Sequence, residues 1–223
     1  MRKDSIPSRT FLILTVAFVT ALMVSNLIAG KLISVGGLVL PAAVVLFPLT
    51  YIFGDVFTEV YGFKSSKLVI WLGFAANLFA VGVYCLTIAL PHPDFWQGQE
   101  AYATVLGTTP RVLIASLIGY LLGEFSNSIV LSRLKVMMSG KRLWVRTIGS
   151  TLVGEALDTL VFITVVFVGS VPTNVLIQMM LLQYVWKVGY EVVLTPVTYR
   201  VVAWLKRHEG VDVYDHGESY KVF

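Results

Sequence analysis

Six apolar stretches, each near the length needed to cross a bilayer, divide this 223-residue chain and leave only short polar links between them. They cover residues 10–33, 41–61, 68–90, 111–131, 147–168 and 176–205. A helix needs about 20 apolar residues to cross the hydrocarbon core, so each stretch reads as a spanning helix. The composition agrees, with 57% hydrophobic and 13% charged residues and a mean hydropathy of +0.79. Soluble domains run nearer 25% charged. Residues 1–223 therefore read as a single transmembrane domain, an all-α membrane protein of six transmembrane helices embedded in the lipid bilayer.

Loop charge sets the orientation. The N-terminus, Lys64 and Lys67, the 133–146 segment and the tail from Arg200 hold 14 of the 17 Lys and Arg residues. The intervening links, 91–110 and 169–175, hold none apart from the boundary at Arg111. Basic loops stay inside, so both termini are expected to be cytoplasmic. The same spread of charge accounts for the net +4 without nucleic acid as a partner. Arg2, Lys3 and Arg9 precede an apolar run longer than the roughly 7–15 residues of a cleavable signal, so the first helix is expected to be retained. Single Cys85 excludes an internal disulfide and a Cys-rich metal site. Pro41 fits the first turn of the second helix, and Pro196 is expected to kink the sixth. In the long outer link, Phe95, Trp96 and Tyr102 suit an interfacial aromatic belt better than a lid over the bundle.

Ionisable residues inside the apolar stretches carry the functional signal. Each costs about 2.5–3.5 kcal/mol at the bilayer centre. On the fifth helix Thr151, Glu155 and Asp158 share a face at i, i+4 and i+7. On the sixth, Gln183, Lys187 and Glu191 repeat every four residues, flanked by Tyr184 and Tyr190. The second offers Tyr51, Asp55 and Glu59, the fourth Glu124 with Asn127 and Ser128, and the first and third Asn26 and Asn77. Bland readings stand beside these. Asn26, Asn77, Ser128 and Thr151 each suit interhelical hydrogen bonding alone. Glu59, near the cytoplasmic end, suits a solvated pairing with Lys64; Glu191 suits a structural role; Asp158 and Lys187 suit a buried ion pair. Six acids against one base nevertheless exceed what a neutral structural network needs. The surplus points to proton binding coupled to movement, or to a ligand that brings donors. Both mean transport. The chain lacks a GxxxxGK[ST] phosphate loop, an H-E-x-x-H helix and a G-x-S-x-G elbow, so an enzyme is not expected, and neither is a cofactor or metal site.

The segments SNLIAGK (25–31), FPLTYIFGDVFTEVYG (47–62), STLVGEALDT (150–159) and QYVWKVGYEVVLTPVTY (183–199) resemble the queuosine precursor transporter family, six-helix proteins also described as vitamin-uptake-transporter-like. The resemblance implies import of 7-deazaguanine bases, namely cyano or aminomethyl precursors or queuine, for tRNA modification at a bacterial inner membrane. It also implies a bundle like the S-components of energy-coupling-factor importers. For such a base, Asp158 or Glu155 would accept the donor edge, with Lys187, Gln183 or Asn26 on the carbonyl and ring nitrogens. Asp55 or Glu124 would receive an aminomethyl cation, and Phe47, Tyr51, Tyr184, Trp186 and Tyr190 would supply aromatic walls. Asn77 completes the candidate set. Two other functions remain: the substrate-binding subunit of an ATP-driven vitamin importer, and, less favoured, an intramembrane enzyme working through its carboxylates. Ala17-xxx-Ala21 and Ser25-xxx-Ala29 on the first helix suit close packing within the bundle or in a homodimer.

Overall fold

A computed structural model describes residues 8–28, 31–35, 38–107, 110–169, 172–217 and 219–221. Seven α-helices account for most of them: α1 (Arg9–Ile28), α2 (Phe47–Val56), α3 (Phe63–Ala89), α4 (Gln99–Leu106), α5 (Pro110–Met137), α6 (Leu143–Phe167) and α7 (Thr173–Glu209). Among the described residues, α1, α3, the Ile114–Met137 part of α5, and α6 are long and apolar enough to cross a membrane. Large apolar side chains such as Ile13, Phe79 and Val193 point outward, each more than two-thirds exposed. An exterior this apolar is stable against lipid and not against water. The chain is a multi-pass membrane protein.

Two expected helices are shorter than the apolar runs that announced them. Residues Leu32–Val35 (β1) and Leu38–Pro41 (β2) form an antiparallel hairpin pairing Leu32 with Pro41 and Val35 with Leu38. The sequence signal is Gly36-Gly37 between runs that include β-branched residues, the composition of a two-residue hairpin turn. The chain is thus helical with one small hairpin rather than wholly α. Pro41 closes β2 instead of opening a helix, and Pro48 occupies the first turn of α2 in its place. A 3-10 turn, Ala42–Val45, leads into α2, and a π turn, Phe57–Tyr61, follows it.

The remaining helices outrun their expected ends. α3 begins at Phe63 because Gly62, at φ +81°, reverses the chain, and the Phe63 N–H donates to Asp215 Oδ2 at 2.9 Å. α7 continues through Pro196 to Glu209, and its 37 residues measure about 55 Å at 1.5 Å each. Part of the 91–110 link is helical, as α4, which rests on α3 through a Gln99-to-Ile88 carbonyl bond of 2.9 Å. The Trp96 ring lies against His92 and Tyr102, while Phe95 is exposed.

Two apolar clusters hold the bundle. One joins Phe18 and Leu22 of α1 to Phe57, Phe63, Ile70, Tyr120 and Phe125. The other joins Ile52 and Val56 of α2 to Leu143, Val202 and Leu205. α5 and α6 meet most closely, backbone on backbone. A Cβ at Gly154 would stand 2.8 Å from the Gly123 carbonyl oxygen and 2.9 Å from Asn127 Cβ. One at Gly119 would stand 2.6 Å from Asp158 Oδ1. Small residues at Ala115, Gly119 and Gly123 make this a small-xxx-small face.

The four basic segments that loop charge assigns to the cytoplasm converge at one end of the molecule. Glu209 at the end of α7 lies beside Ser8 and Thr10 at the start of α1, and the described part of the tail lies along the same end. The Val213 N–H donates to the Val60 carbonyl at 3.1 Å, Ser132 Oγ donates to Asp215 Oδ2 at 2.5 Å, and Lys67 Nζ donates to the Lys221 carbonyl at 2.7 Å. Overpacking a site this tight costs about 1–3 kcal/mol. Gly154→Val should therefore lower the unfolding temperature of the detergent-purified protein by several degrees. Gly189→Ala, at a position whose Cβ site is open, should leave it unchanged, and equal melting of the two variants would contradict the helix contact.

Candidate functional site

The buried faces of α6 and α7 follow helical spacing. Glu155 and Asp158 point inward from α6 and Lys187 and Glu191 from α7, all nearly without solvent contact. The α5 glycines make room for this arrangement, since Asp158 occupies the space that side chains at Gly119 and Gly123 would take. Lys187 Nζ lies 2.9 Å from Glu155 Oε2 and donates a short hydrogen bond to Asp158 Oδ2. The ring of Tyr51, buried on α2, has its centroid 5.7 Å from the same ammonium, and its hydroxyl hydrogen-bonds Glu155. Glu124 borders this group, with its carboxylate pressed against Gly54 and the charges of Glu155 and Asp158 acting on it. Tyr51, Glu124, Glu155, Asp158 and Lys187 thus converge from four helices.

A second group lies one helical turn away. Asp55 Oδ1 accepts from Asn127 Nδ2 at 2.7 Å, and the strongest charge acting on Asp55 is Glu191. A third group lies one turn farther on, in the π turn that follows α2, where Glu59 is buried rather than solvated. Arg146 grips both of its carboxylate oxygens, through a short Nη1 contact to Oε2 and an Nη2 bond of 3.1 Å to Oε1. Lys206 Nζ donates to Oε1 at 2.6 Å, and Lys135 Nζ stands 3.8 Å from it while donating to the Glu59 carbonyl at 2.5 Å. The expected solvation gives way to burial among these three cations, because α5, α6 and α7 each have an end here. Lys135 and Lys206 also hold Asp212 of the tail, at 2.5 and 2.9 Å. Burial raises the Asp212 pKa, but hydrogen bonds from the two lysines outweigh it and hold the carboxyl below the usual aspartate range.

The other candidates stand apart. Asn26 Nδ2 donates to Asn77 Oδ1 at 2.6 Å, and Asn77 Nδ2 donates to the Gly73 carbonyl at 2.9 Å. This α1–α3 pair borders a cavity of about 20 Å³, room for one water. Gln183 and Tyr190 are half-buried and lie outside the contacts around Lys187. The Tyr184 hydroxyl donates to the Leu152 carbonyl, and Trp186 points outward. The Phe47 side chain lies outside the described residues. Tyr51 is the aromatic that meets the charged group. Sequence reasoning missed Lys135, Arg146 and Lys206, which bring their charge to Glu59 from positions 76 to 147 residues away along the chain.

A family model described as a putative vitamin uptake transporter matches residues 41–201. The chain is 27% identical over 180 residues to a probable queuosine precursor transporter of Bacillus subtilis (strain 168), covering 80% of this chain and 79% of that protein. It is 28% identical over 121 residues to the queuosine precursor transporter of Escherichia coli (strain K12), covering 54% of this chain and 52% of that protein. No solved structure matches.

Removing one partner of a buried ion group leaves the others uncompensated, at about 3–5 kcal/mol. Glu59→Ala should therefore destabilise the purified protein strongly, and the double variant Glu59→Leu with Arg146→Met should recover part of the loss in thermal unfolding. The lowered Asp212 pKa makes its contribution full above the ordinary aspartate value and lost as pH falls through the folded-state value. Hydrogen exchange in residues 210–215 should rise on that descent, and Asp212→Asn should show the faster exchange already at neutral pH.

Proposed function

The chain belongs to the putative vitamin uptake transporter family, and from that membership and its buried charge cluster we propose that it imports 7-deazaguanine precursors of queuosine across a bacterial inner membrane. α2 and α7 complete six spans in this reading, with both termini cytoplasmic. The convergence of Lys67, Lys135, Arg146, Lys206 and the tail at one end supports that orientation.

The observation that carries the reading is Lys187 held between Asp158 and Glu155 beside the Tyr51 ring. A guanine-like edge offers two adjacent N–H donors, which a carboxylate accepts in bidentate fashion, and a carbonyl, which an ammonium satisfies. The base would insert between the partners of the resting ion group, taking Asp158 or Glu155 on its donor edge and Lys187 on its oxygen. Tyr51 would stack on the flat ring, and Glu124 would receive the cation of an aminomethyl derivative. The buried ion group and the ligand site are one arrangement in two states, so the charged groups of the site find hydrogen-bonding partners in each. The base leaves unchanged, which makes the protein a carrier and not an enzyme.

Purified protein in liposomes should take up 7-cyano-7-deazaguanine, and the same ligand should raise its unfolding temperature in proportion to ligand excess, while adenine should not. Asp158→Asn and Lys187→Met should each lower affinity at least about tenfold, the loss of roughly one charge-assisted hydrogen bond. Normal binding by both variants would sink the site assignment. Uptake that requires an added ATPase would turn the reading towards a subunit of a larger importer.

A further inference from the structure

The charged groups inside the bundle divide into three tiers along α2 and the π turn that follows it, at Tyr51, Asp55 and Glu59, each four residues apart. The outer two are compensated. Lys187 answers the acids beside Tyr51, and Arg146, Lys135 and Lys206 answer Glu59. The middle tier has no such partner among the described residues. Its members are Asp55 on α2, Asn127 on α5 and Glu191 on α7, with Glu124 on α5 bordering it from the Lys187 group. Asp55 and Asn127 have no solvent exposure, Glu124 is 1% exposed and Glu191 is 3% exposed. Among the described residues, Asp55 Oδ2, Asn127 Oδ1, Glu124 Oε1 and Glu191 Oε1 are buried without a hydrogen-bond partner.

Every one of those atoms is an acceptor. The Asn127 oxygen matters most, because it is not an acid and cannot relieve itself by ionisation. Its amide nitrogen is spent on Asp55, so the oxygen waits for a donor that no neighbouring side chain brings. A carboxylate left charged and unpaired in this setting is very costly and neutralises instead. A proton on one carboxyl removes a charge and creates an O–H donor for a neighbouring orphan oxygen. One proton thus mends two faults. A divalent metal ion fits less well, since no group of acids or histidines among the described residues converges as a metal site does.

We propose that Asp55, Asn127 and Glu191, bordered by Glu124, form a proton-binding site separate from the Lys187 cluster, and that its proton is carried inward with the substrate. The bound proton stands on the cluster alone, whereas its coupling to uptake rests on the transport reading above. Among the described residues, the titratable groups around the site are Glu124 and Tyr120 on α5 with Glu155 and Asp158 of α6 beyond them, Tyr51 one turn back on α2, Lys187 one turn away on α7, and Glu59 with its three cations one turn on, in the π turn. The site therefore sits between the proposed substrate layer and the basic end. When a ligand draws Lys187 away from its acids, the field reaching Glu124 and hence Asp55 changes, which gives substrate and proton a physical means of sensing each other.

Two measurements test this. Infrared spectra of the purified protein without substrate should contain a protonated-carboxyl band at neutral pH that diminishes in Asp55→Asn or in Glu191→Gln. Its absence from the wild type, or its persistence unchanged in both variants, overturns the site. Should either variant fail to fold, titration of the wild-type band against pH decides the same point. In liposomes, an inward proton gradient of one pH unit should support about tenfold accumulation of 7-cyano-7-deazaguanine for one proton carried. Glu191→Gln should still bind the base but only equilibrate it. Accumulation driven by a sodium gradient and indifferent to pH overturns the coupling. Failure of the wild type to bind the base at all would instead refute the transport reading, and the infrared result would stand independently of it.

Discussion

The contact of α5 with α6 governs the interior. Where Gly119, Gly123 and Gly154 bring the two backbones together, a carboxylate on α6 can lie in the groove of α5 and still face α7. Any side chain there would push Asp158 outward and part it from Lys187. In a bilayer there is little hydrophobic drive to press helices together, so close backbone packing and polar contacts must supply the attraction. The glycine face and the ion group therefore reinforce each other. The first lets the charges meet, and their meeting holds α7 against the pair.

Charge is distributed unevenly along the bundle, and the unevenness has a physical logic. At the basic end, three cations from three different helices close on one buried carboxylate, with the tail strapped over them through Asp212 and Asp215. Such a centre ties together the ends of α2, α5, α6 and α7 and resists separation. Deeper in, five acids among the described residues, at positions 55, 124, 155, 158 and 191, face the single Lys187. An interior built only for stability would avoid that deficit, because the desolvation cost of unpaired carboxylates exceeds what packing returns. A site that must exchange partners benefits from it, since incoming donors meet acceptors already in place.

The parts of this arrangement legible in the sequence are those set by local periodicity. Thr151, Glu155 and Asp158 on one face, and Lys187 with Glu191 on another, follow from 3.6 residues per turn, and the structure keeps both faces inward. The basic segments also declared a common side of the membrane, and they meet at one end. What sequence spacing could not give is which distant residue answers which. Glu59 suited a solvated position because it falls near the cytoplasmic end of its apolar stretch, yet it is buried and its partners arrive from the starts and ends of other helices. The count of six acids to one base overstated the imbalance for that reason, since Arg146, Lys135 and Lys206 lay outside the apolar stretches. Asn26 and Asn77 looked like site residues because they are polar, but they satisfy each other on the far side, between α1 and α3. The hairpin at 32–41 was hidden because its residues are as apolar as a helix end; Gly36-Gly37 was its one clear mark. The small-xxx-small pattern was noticed on the first helix, whereas the face that brings backbones together is on α5.

The three tiers along α2 also bear on how one carrier can open at either end. Tyr51, Asp55 and Glu59 are each about 6 Å apart along the axis, so a short shift of α2 against α5 and α7 disturbs all of them together. Glu59 itself lies in the π turn at Phe57–Tyr61, which with the reversal at Gly62 forms an irregular backbone segment ahead of the start of α3. Single π turns are rare in helices and occur frequently at functional sites. The Glu59 centre grips this segment directly, so loosening it frees the one part of α2 not held in a regular helical ladder. A change of charge at the middle tier acts on Glu59 through one helical turn, while a ligand at the upper tier acts on it through Glu124 and Asp55.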